Sequence, residues 1–290
     1  MFKLAVISDE ISQDLAVAAA MVREFGGEGL EIRSVWEKSA PEFDADERRR
    51  IARIAADYGL RICGVASPCY KCPLEEPAEE AQHLEMLRRC IALAHALDTN
   101  LIRVFTFWKQ AGPPPWERIA DRFRAPIRLA EQEDVILGIE NEGSTMAANA
   151  GKLAELLTIV DHPRLRAIWD PGNEAAETEA GGAFPAGYET LKPWMVHVQL
   201  KDIKRHPDGT AESVQFGTGD IDYIGQLKAL KREGYQGYLS LETHWRIRHE
   251  IPPDVVRQPK GSAFSHGGEE ATRPCLAKLR EMLQQIEPTL

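Results

Sequence analysis

Four polar residues each close a short apolar run: Gly138-Ile139-Glu140, Ile168-Trp169-Asp170, His197-Val198-Gln199 and Ser240-Leu241-Glu242. Their separations are 30, 29 and 43 residues, close to one strand-plus-helix unit each, with the last stretched by an added loop. Any one of them alone would be an ordinary polar residue where a strand emerges into water. Together, at similar heights on neighbouring strands, they can converge on one point. Three converging carboxylates repel one another unless a cation lies between them. The donor set of Glu140, Asp170, Gln199 and Glu242 is all oxygen, which suits Mg²⁺ or Mn²⁺ better than structural zinc.

Alternation along the runs supports the convergence. Gly138, Glu140 and Glu142 share one strand face, as do His197, Gln199 and Lys201, and Ser240, Glu242 and His244, while the intervening Leu, Ile and Val can meet helices. The same kind of run occurs at Leu4–Ser8, Leu30–Arg33, Ile62–Ala66, Leu101–Phe107, Val135–Glu140, Arg166–Asp170, Val196–Leu200 and Tyr238–Glu242. All are short and rich in Val, Ile, Leu or aromatics, as buried parallel strands are.

Amphipathic stretches lie between them. Ser12 is positioned to cap a helix with the stripe Leu15, Ala18, Ala19, Val22 and Phe25, stopped by Gly26-Gly27. Others carry Ile51, Ile54, Ala55 and Tyr58; Leu84, Leu87, Ile91 and Ala94; Leu153, Leu156, Leu157 and Val160; and Ile224, Leu227 and Leu230. A sixth helix is expected between Phe184 and Leu191. Eight such alternations with no linker-like composition predict an α/β fold, a single (β/α)8 TIM barrel over residues 1–290. The turn after the first strand, Ser8-Asp9-Glu10-Ile11-Ser12, is acidic and lacks glycine, so a dinucleotide fold is disfavoured. The connections 109–118, with three prolines, and 246–272, with Gly267-Gly268, follow strands and are expected to overhang the C-terminal face of the barrel.

Composition narrows the partners. The chain has 290 residues, 43% apolar and 28% charged, a balance that fits a folded core. Its formal charge of −10 argues against nucleic acid or an anionic membrane, both of which select clustered Lys and Arg. Five sparse cysteines, a first apolar run too short for a signal-peptide core, and the lack of a long apolar run predict a cytoplasmic protein. Cys69-Tyr70-Lys71-Cys72 has no second pair to make a zinc ribbon, and Gly217-Thr218-Gly219 reads as a turn rather than a nucleotide loop.

The stretches Gly138-Ile139-Glu140-Asn141, Trp169-Asp170-Pro171-Gly172-Asn173, His197-Val198-Gln199-Leu200-Lys201-Asp202, Phe216-Gly217-Thr218-Gly219-Asp220-Ile221-Asp222 and Gly237-Tyr238-Leu239-Ser240-Leu241-Glu242, in this order, resemble the xylose-isomerase-like TIM barrels grouped as sugar-phosphate isomerases and epimerases. The resemblance covers nearly the whole chain. It implies a divalent ion on Glu140, Asp170, Gln199 and Glu242, and proton transfer beside a carbonyl by Glu140 and Glu242, through an enediolate. Gln199 stands where the family usually has histidine, a replacement found in the branches resembling hydroxypyruvate isomerase and 3-dehydroshikimate dehydratase. Glu142 stands where many relatives have histidine.

Substrate contacts are expected from Asn173, Lys201 and Arg205, and from Arg33 and Trp108 at the ends of the second and fourth strands. His197 is expected in the core and His244 at the rim. The leading expectation is an isomerase or epimerase of a small sugar, sugar phosphate or hydroxy-keto acid, in carbohydrate metabolism, as a monomer or homo-oligomer. The alternative is a dehydratase of a keto-cyclitol or 3-dehydroshikimate-like acid, because both share the proton-abstraction step. A sugar-binding barrel without turnover is a third reading, against which the complete ligand set speaks.

Overall fold

The computed structural model describes residues 2–177 and 182–286. Met1, 178–181 and 287–290 of the expected 1–290 domain lie outside the described residues. Eight parallel strands form a closed barrel: Lys3–Ile7, Gly29–Ile32, Arg61–Val65, Leu101–Val104, Ile136–Glu140, Leu165–Trp169, Met195–Leu200 and Tyr238–Leu241. The first pairs with both the second and the eighth, which closes the ring and leaves no sheet edge. Helices such as Leu15–Glu24, Ala45–Asp57, Pro77–Ala96, Trp116–Gln132, Ala150–Val160, Tyr223–Arg232 and Gly268–Gln285 cover the outside. Their apolar stripes meet the outward Val, Ile and Leu of the strands in one continuous core.

The structure departs from the sequence reading in local detail. The first helix is capped by Asp14, whose carboxylate accepts from the Ala16 amide, while the Ser12 hydroxyl accepts from Asp14 one step earlier. Asp14→Ala is therefore expected to cost about 1 kcal/mol in a urea melt, and Ser12→Ala less. The fourth strand ends at Val104 rather than Phe107, because the chain peels off the barrel. Phe105, Phe107 and Trp108 instead donate to the carbonyls of Cys69, Tyr70 and Cys72, with Phe107 at a φ of 65°. The segment expected as the sixth helix divides into an irregular turn at Ala183–Gly187 and a single α-turn at Tyr188–Leu191.

The long connections carry structure of their own. Within 109–118 a helix already begins at Trp116. Within 246–272 lie the short helices Pro253–Arg257 and Gly261–Ser265, and the last long helix begins at Gly268. A hairpin pairs Asp202–Arg205 with Ala211–Val214 after the seventh strand. Gly217-Thr218-Gly219 is a turn, held by Asp202, whose carboxylate accepts from both glycine amides. No helix among the described residues is long and apolar enough to cross a membrane.

Candidate functional site

Glu140, Asp170 and Glu242 stand at the C-terminal ends of the fifth, sixth and eighth strands, all buried, and one carboxylate oxygen of each lies within 4.8 Å of the other two. Between two of them, Asp170 and Glu242, is a cation supplied by the chain. The Lys201 ammonium donates to Asp170 Oδ2 at 2.6 Å and to Glu242 Oε2 at 2.5 Å. Arg33 reaches across the barrel from the second strand, with Nη1 at 2.6 Å from Glu242 Oε1 and Nη2 at 2.7 Å from Glu10 Oε1, and its Nε meets Asp9. Arg103 of the fourth strand donates to Glu140 Oε2 at 2.9 Å, and Asn173 donates to Glu140 Oε1 at 2.6 Å.

Two glycines make this packing possible. A Cβ on Gly172 would fall 2.3 Å from Lys201 Cγ, so the lysine stem can lie over the short helix Pro171–Ala176 only because that position has no side chain. A Cβ on Gly268 would fall 2.2 Å from the Glu10 carbonyl oxygen. The last helix therefore abuts the Ser8–Glu10 turn, where Thr272 donates to that same carbonyl and fixes the turn bearing Asp9 and Glu10.

Gln199 does not join the three carboxylates. It pairs in register with Ser240, two residues before Glu242, so its side chain lies one layer below. Its amide nitrogen donates to Glu31 Oε1 at 2.8 Å, while its Oε1 is buried without a hydrogen-bond partner. His197 is buried, with Nε2 3.1 Å from Glu31 Oε2. Arg205 turns away from the cluster and donates to the Ala175 and Ala176 carbonyls at the end of the short helix. Trp108 is half-buried beyond the fourth strand, with the Arg257 guanidinium 4.0 Å over its ring. The Glu142 carboxylate meets Lys71 at 3.5 Å.

Arg103, Glu31, Asp9, Glu10 and Arg246 are not among the residues singled out from sequence. The signal for two of them is a charge within an apolar strand: Glu31 in Gly29–Ile32 and Arg103 in Leu101–Val104. His244 has a φ of 46° and places Nε2 3.4 Å from both Glu10 and Glu242, so it belongs to the cluster. Such left-handed backbone at a bulky residue persists where the surroundings hold it. Beside it opens a cavity of about 1030 Å³, lined by His206, Glu212, His244, Trp245, Arg246 and His249.

Electrostatics divide the carboxylates. Burial pushes Asp170 up to about 7 against the pull of Lys201, and burial likewise raises Glu140. Burial opposes ionisation of Glu242 too, but the charges of Lys201, Arg33 and Arg103 outweigh it and hold that carboxyl well below the usual range. Burial takes His244 down to about 4, so it is neutral near pH 7.

Glu174 supports the site from behind. Its carboxylate accepts from the Ala150 amide and from Asn141, whose side chain also holds the Asp170 backbone. Burial raises its pKa from the ordinary 4.5 to about 7. Between those values the native state binds more protons than the unfolded chain, so this group's contribution to stability falls as pH rises and is lost above 7. Glu174→Gln keeps an oxygen acceptor and removes the cost of ionisation. Its melting temperature should exceed that of the parent at pH 8 and match it near pH 4, with a gain of at most about 3 kcal/mol.

A family profile described as xylose isomerase-like TIM barrel matches residues 19–263. Among curated proteins, the 3-dehydroshikimate dehydratase of Bacillus anthracis is 23% identical over 191 residues, covering 62% of this chain and 63% of that protein. The matched stretch is thus less than two thirds of that relative's length. Among solved structures, a xylose isomerase domain protein from Planctomyces limnophilus superposes with a TM-score of 0.74 at 13% identity, covering 98% of both chains. An L-ribulose 3-epimerase gives 0.74 at 17% identity, covering 99% of this chain and 96% of that one. At these identities the likeness to solved structures is one of fold.

Proposed function

Because the chain belongs to the xylose isomerase-like TIM barrel family, we propose that it is a divalent-metal-dependent isomerase or epimerase of a small sugar, sugar phosphate or hydroxy-keto acid. The observation that carries this reading is the convergence of Glu140, Asp170 and Glu242, with the Lys201 ammonium bridging Asp170 and Glu242 and Arg103 meeting Glu140. The ammonium is a stand-in cation, which marks a place where three buried carboxylates draw positive charge. Mn²⁺ or Mg²⁺ would be held by Glu140, Asp170 and Glu242, and would supply Lewis-acid stabilisation of negative charge on a substrate oxygen.

The chain's own groups account for the proton. Glu242, held ionised by its cationic neighbours, takes it from the carbon beside the carbonyl. Glu140, fixed by Arg103 and Asn173, returns one to the carbon skeleton. Both Glu242 oxygens are engaged, so one partner must yield when substrate arrives. Lys201, on a flexible four-carbon stem, can do so, whereas the Arg33 fork is bonded to three carboxylates.

A dehydratase acting on a 3-dehydroshikimate-like acid is the second reading. It is favoured by the curated relative of that activity. The same abstraction would then expel a β-hydroxyl as water. A panel of ketoses, their phosphates, hydroxy-keto acids and keto-cyclitols, incubated in heavy water with Mn²⁺ and followed by mass spectrometry, separates the readings. The isomerase gives deuterium incorporation at unchanged elemental formula. Loss of water without isomerised product selects the dehydratase, and binding without exchange selects a barrel that only holds sugars.

A further inference from the structure

Below the carboxylate cluster, toward the opposite end of the barrel, Glu31, Cys63 and His197 bring a carboxylate oxygen, a thiol sulfur and an imidazole nitrogen within 4.8 Å of one another. None of the three takes part in the proton transfer described above. Their exposures are 1%, 8% and 2%, so the group is buried but not sealed. A cavity of about 680 Å³ opens at the strand N-termini, and both Cys63 and His197 line it. Cys63 lies where the register between the second and third strands slips: Leu30 pairs with Ile62 but Glu31 pairs with Gly64. A bulge of this kind re-aims a side chain, and it leaves Cys63 as the extra residue.

We propose that Glu31, Cys63 and His197 form a second metal site, for a zinc-class ion, reached from the bottom of the barrel. Sulfur, nitrogen and oxygen donors together select a borderline-soft ion such as Zn²⁺ or Co²⁺, unlike the all-oxygen cluster above. Ligands 2.0–2.3 Å from a tetrahedral centre stand about 3.3–3.7 Å apart. The 3.1 Å between Glu31 Oε2 and His197 Nε2 is already close to that spacing, leaving the sulfur to close in by rotation. On binding, the Cys63 S–H proton leaves to solvent through the cavity and a metal–sulfur bond forms. The His197 hydrogen bond to Glu31 is exchanged for bonds from both residues to the ion.

The site is then electrically neutral, with two anionic ligands, one neutral imidazole and a divalent ion. The Gln199 amide already holds the other oxygen of Glu31, which fixes that carboxylate as a single-oxygen ligand. The fourth position faces the cavity and takes water.

Cobalt substitution tests this, because only a sulfur ligand gives a thiolate-to-cobalt charge-transfer band in the near ultraviolet. Co²⁺ titrated into the metal-stripped protein should produce that band, saturating at the intensity of one thiolate-bound cobalt per chain. Cys63→Ser should abolish it while circular dichroism shows the fold retained. His197→Gln, which can still bond to Glu31, should weaken binding at least tenfold. Asp170→Ala, which disables the upper cluster, should leave the band intact, so failure of the proposed activity and failure of this site are separable. Absence of the band in the parent protein, or its persistence in Cys63→Ser, would overturn the proposal.

Discussion

Turnover is expected to fall by about 10²–10⁴-fold when Glu242 is replaced by glutamine, the range that a positioned general base supplies. Glutamine keeps the shape and one oxygen acceptor but cannot take a proton. The single amide oxygen can still accept from Arg33 while Lys201 keeps Asp170, so the fold should survive; circular dichroism and a thermal melt check that. Glu140→Gln should bring a loss of similar size, because Asn173 and Arg103 fix a group that could then no longer deliver a proton. Deuterium exchange into recovered substrate is the discriminating measurement. A variant that cannot start the reaction loses exchange and product together, whereas one that cannot finish it retains exchange. Metal content is to be measured in each variant, since both residues also set the charge around the ion. Losses below about tenfold in both would remove the pair from the chemistry.

The second large effect is on stability and concerns Lys201. Lys201→Met keeps the apolar stem and deletes the charge between Asp170 and Glu242, leaving the buried Asp170 carboxylate without a cation while Glu242 keeps Arg33. Removing one member of a buried pair typically costs about 3–5 kcal/mol, so the variant should melt well below the parent in the absence of divalent ions. An ion bound to the same carboxylates replaces the lost charge. At a hundred times its dissociation constant it restores about 2.7 kcal/mol. Mn²⁺ should therefore raise the melting temperature of Lys201→Met more than that of the parent, in which the ammonium competes for the same oxygens. Adding Asp170→Ala should remove the response. An equal response in parent and Lys201→Met would place the ion away from the ammonium.

Much of the architecture was written in the order of the residues. Eight apolar runs with helical stripes between them determine a parallel barrel, because a strand buried on both faces must be apolar and successive parallel strands require crossovers. All eight strands occur where the pattern puts them, with ends shifted by a few residues. Alternation also determined that Glu140, Asp170 and Glu242 sit at the strand ends, and the fold brings these three together.

Which charges neutralise them was decided only in three dimensions. Lys201 and Gln199 share one face of the seventh strand, and nothing in their spacing says which reaches the carboxylates. The barrel stagger answers it, since Gln199 pairs with Ser240 and falls a layer below, beside Glu31. Likewise, Arg33 and Arg103 lie 209 and 139 residues from Glu242 along the chain. Barrel closure alone makes them its neighbours, at 2.6 and 3.9 Å. A sequence specifies which face a side chain takes, because that depends on the local period of two. The partner it meets across the barrel depends on shear and closure, which are properties of all eight strands together.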